Sequence, residues 1–213
     1  MARTALWSQT HPGIYIEGGD ALFTAAAAAL TTLRSRPIGK DLIDLISKRC
    51  VTTKQTVTVK RAPGTMTASA EDTQAIPDDM TTIMRRDKVI PGTAIQLPGK
   101  GASSVAAFNP YAATEYSRLL GIPTPAFIAL GHELIHCMHF LSGNIRLSSD
   151  KSLSVEARLG PMMLHEEAHT CGLGPYAKTR ISENALRGEH NFSLRTYYSN
   201  PFDCDGLTSL VGP

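Results

Sequence analysis

Thr124-Pro125-Ala126-Phe127-Ile128-Ala129-Leu130-Gly131-His132-Glu133-Leu134-Ile135-His136-Cys137-Met138-His139-Phe140-Leu141-Ser142-Gly143 is the most clearly bounded element of the sequence. A capping threonine, a proline at the first helical position and a closing glycine predict a helix across this stretch. Phe127, Ile128, Leu130, Leu134, Ile135, Met138 and Leu141 nearly surround its axis, which predicts a central, largely buried element.

His132 and His136 stand four residues apart, about one helical turn, so both imidazoles project from one face and can hold one small cation. Glu133 follows the first histidine, where its carboxylate can take a proton from a water held by that cation. This is the H-E-x-x-H arrangement, whose mechanics match zinc hydrolysis. Two core histidines satisfied by hydrogen bonds are the plainer alternative, but unpaired His and Glu on a burial-prone helix are costly. A catalytic zinc needs a third protein ligand and an open position. Leu164-His165-Glu166-Glu167-Ala168-His169-Thr170 offers four candidates, and helical spacing does not choose among them. Glu167 shares a face with Gly160, Met163 and Cys171, whereas Glu166 and His169 share another with Leu159 and Met162. His139 lies near the face of the two motif histidines but a turn beyond His136, so it reads as packing or as support for a ligand.

Outward from this helix the chain reads as ordinary globular sequence. Its 213 residues are 42% hydrophobic and 19% charged, enough for a sizeable core in one domain over 1–213. The net charge of +2, with scattered Lys and Arg, excludes a strong nucleic-acid or anionic-membrane footprint. Cys50, Cys137, Cys171 and Cys204 form no C-x-x-C pair and read as reduced thiols. The first residues lack the apolar stretch of a secretory signal, and no run is long enough to span a membrane. A soluble chain is expected, with any export by another route.

Asp20 to Leu33 predicts a helix capped by Asp20, and Leu42, Ile43, Leu45 and Ile46 predict a second after Pro37. Val51 to Lys60 is rich in β-branched residues and predicts a strand, whereas residues 63 to 87 lose all periodicity and predict a surface loop. Ala94-Ile95-Gln96-Leu97 and Val105-Ala106-Ala107-Phe108 flank a glycine-rich tip and predict a hairpin. That tip lacks the spacing of a phosphate loop, and a strand-like run follows it in place of a helix. Ser152 to Thr170 predicts a helix kinked at Gly160-Pro161, Ile181 to Arg187 a short one, and the tail from Phe192 irregular chain.

His132-Glu133-Leu134-Ile135-His136, then Glu166-Glu167-x-x-Thr170-x-Gly172, then Glu183-Asn184-x-x-Arg187 resembles the light chains of the clostridial neurotoxins, which are gluzincin proteases. With Leu194-Arg195-Thr196-Tyr197-Tyr198 added, the set more closely resembles the NleD-type effector metalloproteases that bacteria inject into host cells. These markers span about a third of the chain, and residues 1 to 110 carry little of the resemblance.

The resemblance implies an α+β, single-domain, gluzincin-like fold with a small sheet packed on the two-histidine helix. It implies zinc held by His132, His136 and Glu167, with Glu166 as a buttress. Glu133 is then the catalytic base, and Arg195 with Tyr198 donates to the oxyanion, Tyr197 being the rival tyrosine. For Glu183 and Arg187 the ordinary reading is an ion pair, and the sharper one is a contact behind a zinc-bound histidine. The link from His136 to Glu167 is shorter than in the toxins, so the connecting segment must differ. The expected activity is that of a zinc endopeptidase. It is expected to reach the host cytosol by type III secretion and to cleave a host protein, by resemblance a mitogen-activated protein kinase of the c-Jun N-terminal type, in its activation loop. A monomer that binds neither nucleic acid nor membrane is expected. Two other readings stand beside it: a zinc hydrolase of another substrate, and a non-catalytic, zinc-stabilised module that binds a host protein.

Overall fold

The described residues are 3–62, 67–70, 94–98, 101–148 and 166–196 of a computed structural model, and their core is built around the two-histidine helix. In chain order they form β1 (Arg3–Leu6), β2 (Ile14–Gly18), α1 (Asp20–Arg34), α2 (Pro37–Thr53), β3 (Val57–Arg61), β4 (Thr67–Ala70), β5 (Ala94–Pro98), β6 (Ser104–Phe108), α3 (Ala113–Leu120), α4 (Ala126–Ser142), β7 (Asn144–Ser148) and α5 (Glu183–Glu189). Residues 166–171 are also helical. The larger sheet has the order β1-β2-β3-β6-β4, parallel across β2, β3 and β6 and antiparallel at both edges. The architecture is α+β, as the sequence predicts.

The sheet's register explains where the core lies. Ile14 pairs with Val57 and Val57 with Ser104, while Ile16 pairs with Val59 and Val59 with Ala106. Paired residues of parallel strands point to the same face, and all six are buried. Cys137 of α4 lies against Ser104, so α4 rests on this face, and α1 and α2 pack against α4 in turn. Every residue from Ile128 to Cys137 is buried, as the all-round apolar pattern requires. Gly131 is the point of closest approach: a Cβ there would lie 2.7 Å from Leu186 of α5 and 3.0 Å from Leu33 of α1. Its missing side chain lets α5 reach the turn that carries His132.

Several expectations are corrected. Asp20 is the first helical residue of α1, and Gly19 occupies the cap position. Helix α2 continues through Val51–Thr53, where a strand is expected, and there Thr52 and Thr53 turn their hydroxyls back onto the carbonyls of Lys48 and Arg49. The strand begins only at Val57. Thr67–Ala70, inside the expected loop, is the edge strand β4; its pairing with β6 is a long-range contact that local periodicity does not register. The hairpin is wrong in its pairing. Both runs are strands, but β5 pairs with β7, and β6 is taken by β3 and β4. Proline, not threonine, caps α4: Thr124 gives its hydroxyl to the Ile122 carbonyl and accepts from Arg187. Helix α3 has no counterpart among the expected elements. The expected kink at Gly160-Pro161 lies outside the described residues. Cys50, Cys137 and Cys171 are free and buried; Cys204 is outside the described residues. No described helix is long and apolar enough to cross a membrane.

One long-range contact secures the helical layer. The cap residue of α2, Arg36, offers no side-chain bond, and the Glu189 carboxylate of α5 instead accepts from the backbone N–H groups of Ile38 at 2.6 Å and Gly39 at 2.8 Å. A half-buried carboxylate at a helix N-terminus satisfies orphan donors and meets the positive end of the helix dipole. Glu189→Ala is expected to lower unfolding stability by about 1–2 kcal/mol, readable as a urea midpoint shift. Glu189→Gln, which keeps only one acceptor, should fall between.

Candidate metal centre

Helix α4 sets His132 and His136 on one face with their Nε2 atoms 3.1 Å apart. The helical segment 166–171 packs across that face and places Glu167 Oε2 3.1 Å from each Nε2. The three atoms form a triangle with equal sides. Zinc ligands at about 2.0–2.1 Å in tetrahedral array stand roughly 3.3–3.4 Å apart, so the triangle is within a few tenths of an ångström of that size.

The outer faces of the two rings decide what the inner faces can offer. His132 Nδ1 donates to Glu183 Oε2 at 2.8 Å, and His136 Nδ1 donates to Glu166 Oε1 at 3.1 Å. With Nδ1 protonated, each neutral ring turns a lone pair at Nε2 toward a carboxylate oxygen that also only accepts. Three acceptors at 3.1 Å repel one another unless a cation or protons lie between them. The donor set, two neutral imidazoles and one carboxylate, is one that zinc takes in catalytic sites. The His132, His136 and Glu167 group therefore fits a metal ion.

Electrostatics follow the same wiring. Burial alone would lower the His132 pKa, but its hydrogen bonding with Cys171 and with the carboxylates of Glu167 and Glu183, which accept from the protonated ring, carries it well above the ordinary value. Burial likewise opposes His136, and Glu166 with Glu167 raises it to about 9. For Glu183 the hydrogen bond from His132 and the charges of Arg195, His132 and Arg187 outweigh burial, holding the carboxyl well below the usual range. Glu133 behaves oppositely. Burial raises it, only partly offset by the two histidines, and its carboxylate makes no hydrogen bond among the described residues.

These shifts give the metal-free chain a defined pH optimum. Carboxylates depressed below 4.5 contribute stability that is present above that value and lost as pH falls. Imidazoles raised above 6.5 contribute stability that is present below it and lost as pH climbs, for His136 through about 9. The metal-free chain should therefore be most stable between these limits, with a higher urea midpoint at about pH 5.5 than at about pH 8.5. Saturating zinc should reverse that order, because it binds only the neutral rings.

Helix α5 supports the centre from behind. Ser182 caps it by accepting from the Ala185 N–H. The Arg187 guanidinium is fully buried and donates to Glu183 Oε1 at 2.6 Å, to the Pro123 carbonyl at 2.7 Å and to Thr124 Oγ1 at 2.7 Å. It thus ties Glu183 to the residues that lead into α4. Asn184 fixes the Arg195 peptide from both sides, accepting its N–H at 2.7 Å and donating to its carbonyl at 2.9 Å. Arg195 Nη1 then donates to Glu183 Oε2 at 2.5 Å. Gly172 turns the chain after residues 166–171 with φ +75, where a Cβ would sit 2.6 Å from the Ser182 hydroxyl.

Of the residues expected from the sequence, His132, Glu133, His136 and Glu167 come together, and Arg195 lies behind His132 on Glu183. Tyr197, Tyr198 and His165 lie outside the described residues. Glu166 takes the far side of His136, and His169 stacks on His139 with ring centroids 4.4 Å apart. Glu183 and Arg187 do form an ion pair, and Glu183 also reaches His132. Thr170, 3.3 Å from His136 Nδ1, and Asn184 had no role assigned from sequence, although both stand inside the quoted motifs.

No curated protein and no solved structure shows a significant match to this chain. The family model of the M91 peptidases, described as effector proteins, matches residues 10–198. That span includes the whole described centre and most of the sequence, and the chain belongs to the M91 peptidase family of effector proteins.

Proposed function

We propose that this chain is a zinc-dependent endopeptidase that works as a bacterial effector inside host cells. The observation that carries this reading is the triangle of three acceptor atoms with 3.1 Å sides on the H-E-x-x-H helix, within a chain of a peptidase family. His132, His136 and Glu167 would hold the ion. Bound zinc supplies Lewis acidity toward a substrate carbonyl and makes water acidic near neutral pH.

The chain's own residues do the rest. Glu133, desolvated and raised in pKa, accepts the proton of the attacking water and returns it to the leaving amine. Glu183 and Glu166 hold the two imidazoles with Nε2 turned inward. Arg195 and Tyr198 are proposed as donors to the carbonyl oxygen as charge builds there. For Arg195 this requires that its guanidinium, now on Glu183, also face the substrate. The resemblance to NleD-type effectors supports a host kinase activation loop as substrate, and delivery through type III secretion.

The test is metal removal combined with identification of the product. Chelation should abolish cleavage and lower the thermal midpoint, and stoichiometric zinc should restore both. Mass spectrometry of candidate host kinases incubated with the zinc-loaded chain should find one cut site in an activation loop. A chain that binds no zinc, or that cleaves equally well without it, sinks the reading.

A further inference from the structure

We infer that His139 is a positioning residue for the metal centre, acting on His136 through a shared oxygen of Glu166. This rests on the metal reading above and extends it one layer outward.

Glu166 Oε1 accepts from His136 Nδ1 at 3.1 Å and from His139 Nδ1 at 2.5 Å, with the Thr170 hydroxyl 3.4 Å away. All four groups are buried, His139 being 4% exposed and Glu166 2%. Two imidazoles and the Thr170 hydroxyl converge on this one oxygen, and its position sets the direction of the His136 Nδ1–H bond and so the plane of the His136 ring. A second donor from the same helix, one turn further along α4, fixes the oxygen at the height where it meets His136. The same bond dictates a tautomer: an ionised Glu166 only accepts, so both rings carry hydrogen on Nδ1, and His136 Nε2 is left as a lone pair toward Glu167.

The His139 ring plane is itself constrained. It stacks on His169 at 12° between planes, and His169 packs against Tyr176 at 4.9 Å between centroids. His139 Nδ1 and the buried cluster of His136, His139 and Glu166 could instead suggest a second ion. That would require His136 to bind through both nitrogens at once, with its ring proton removed, and the hydrogen-bonded arrangement needs no such step.

Two substitutions separate the hydrogen bond from the stack. His139→Phe keeps a ring for His169 and removes the donor; His139→Asn places an amide N–H near the former Nδ1 and removes the ring. Zinc affinity would be read by competition with a chromophoric chelator, with circular dichroism of each metal-free chain as the folding control. His139→Phe is expected to weaken zinc binding about tenfold or more, and His139→Asn to stay well within tenfold of wild type. The cobalt-substituted spectrum of His139→Phe should shift, and that of His139→Asn should match wild type. Equal affinity in wild type and His139→Phe, or an Asn variant no better than the Phe variant, overturns the inference. If His139→Phe does not fold, His139→Asn decides alone: affinity within about tenfold of wild type supports the role, and a larger loss overturns it. Failure of the metal reading looks different, since the wild-type chain would then bind no stoichiometric zinc, and both readings would fall together.

Discussion

Glu133→Gln is expected to lower kcat about 10³-fold while zinc content and fold stay close to wild type. The side chain is 7% exposed and makes no hydrogen bond among the described residues, so an isosteric amide breaks no described hydrogen bond in the folded chain. Nor is Glu133 one of the three converging donors, and the zinc Kd should change little. What the substitution removes is a carboxylate whose pKa burial has raised toward the working range of a general base. The two readouts are zinc stoichiometry and single-site cleavage of the substrate. Activity within threefold of wild type would sink the proposed role of Glu133. Loss of zinc together with activity would show that Glu133 serves the metal and not the proton.

The second large effect falls on stability. Arg187→Met is expected to cost about 3–5 kcal/mol, because the buried Glu183 loses one of its cationic partners and Thr124 and Pro123 lose a donor. In a chain of this size that is a fall of roughly 10 °C in thermal midpoint. Arg187→Lys should recover little, since one ammonium cannot span three acceptors set around a planar fork. Pairing Arg187→Met with Glu183→Gln should cost less than the sum of the two, the residue of an unpaired buried charge having been removed. Zinc affinity should drop as well, because Glu183 holds His132 from behind. A midpoint within a few degrees of wild type for Arg187→Met would remove this arginine from the supports of the centre.

How much of this was legible in the sequence depends on the range of each interaction. Helix α4 was readable because its signals are local: proline at the start, Gly143 in the left-handed region at the end, and apolar residues on nearly every side. Helix α2 overran its expected limit although Val51, Thr52 and Thr53 are β-branched, because extending a helix already formed adds one hydrogen bond for each residue fixed. The strands were harder. Ala94–Pro98 and Ser104–Phe108 each read correctly as extended, but which strand each would pair with is decided by elements far along the chain. Thr67–Ala70 alternates polar and apolar residues, but over only four positions and with alanine and serine in place of β-branched or aromatic residues, and its pairing with β6 makes it an edge strand.

The candidate centre divides along the same line. The sequence by itself determined that two imidazoles stand on one helix face at a spacing that suits a small cation, because i and i+4 face the same way whatever surrounds the helix. It could not separate Glu166 from Glu167 by spacing, since that depends on how residues 166–171 are rotated against α4. The tertiary structure sets Glu167 against both Nε2 atoms and Glu166 behind His136. It also brings Glu183 to His132 across 51 residues and ties it through Arg187 to the entrance of α4. Those contacts exist because Gly131 lets α5 approach and buried charges must find partners, and neither condition is written in local periodicity.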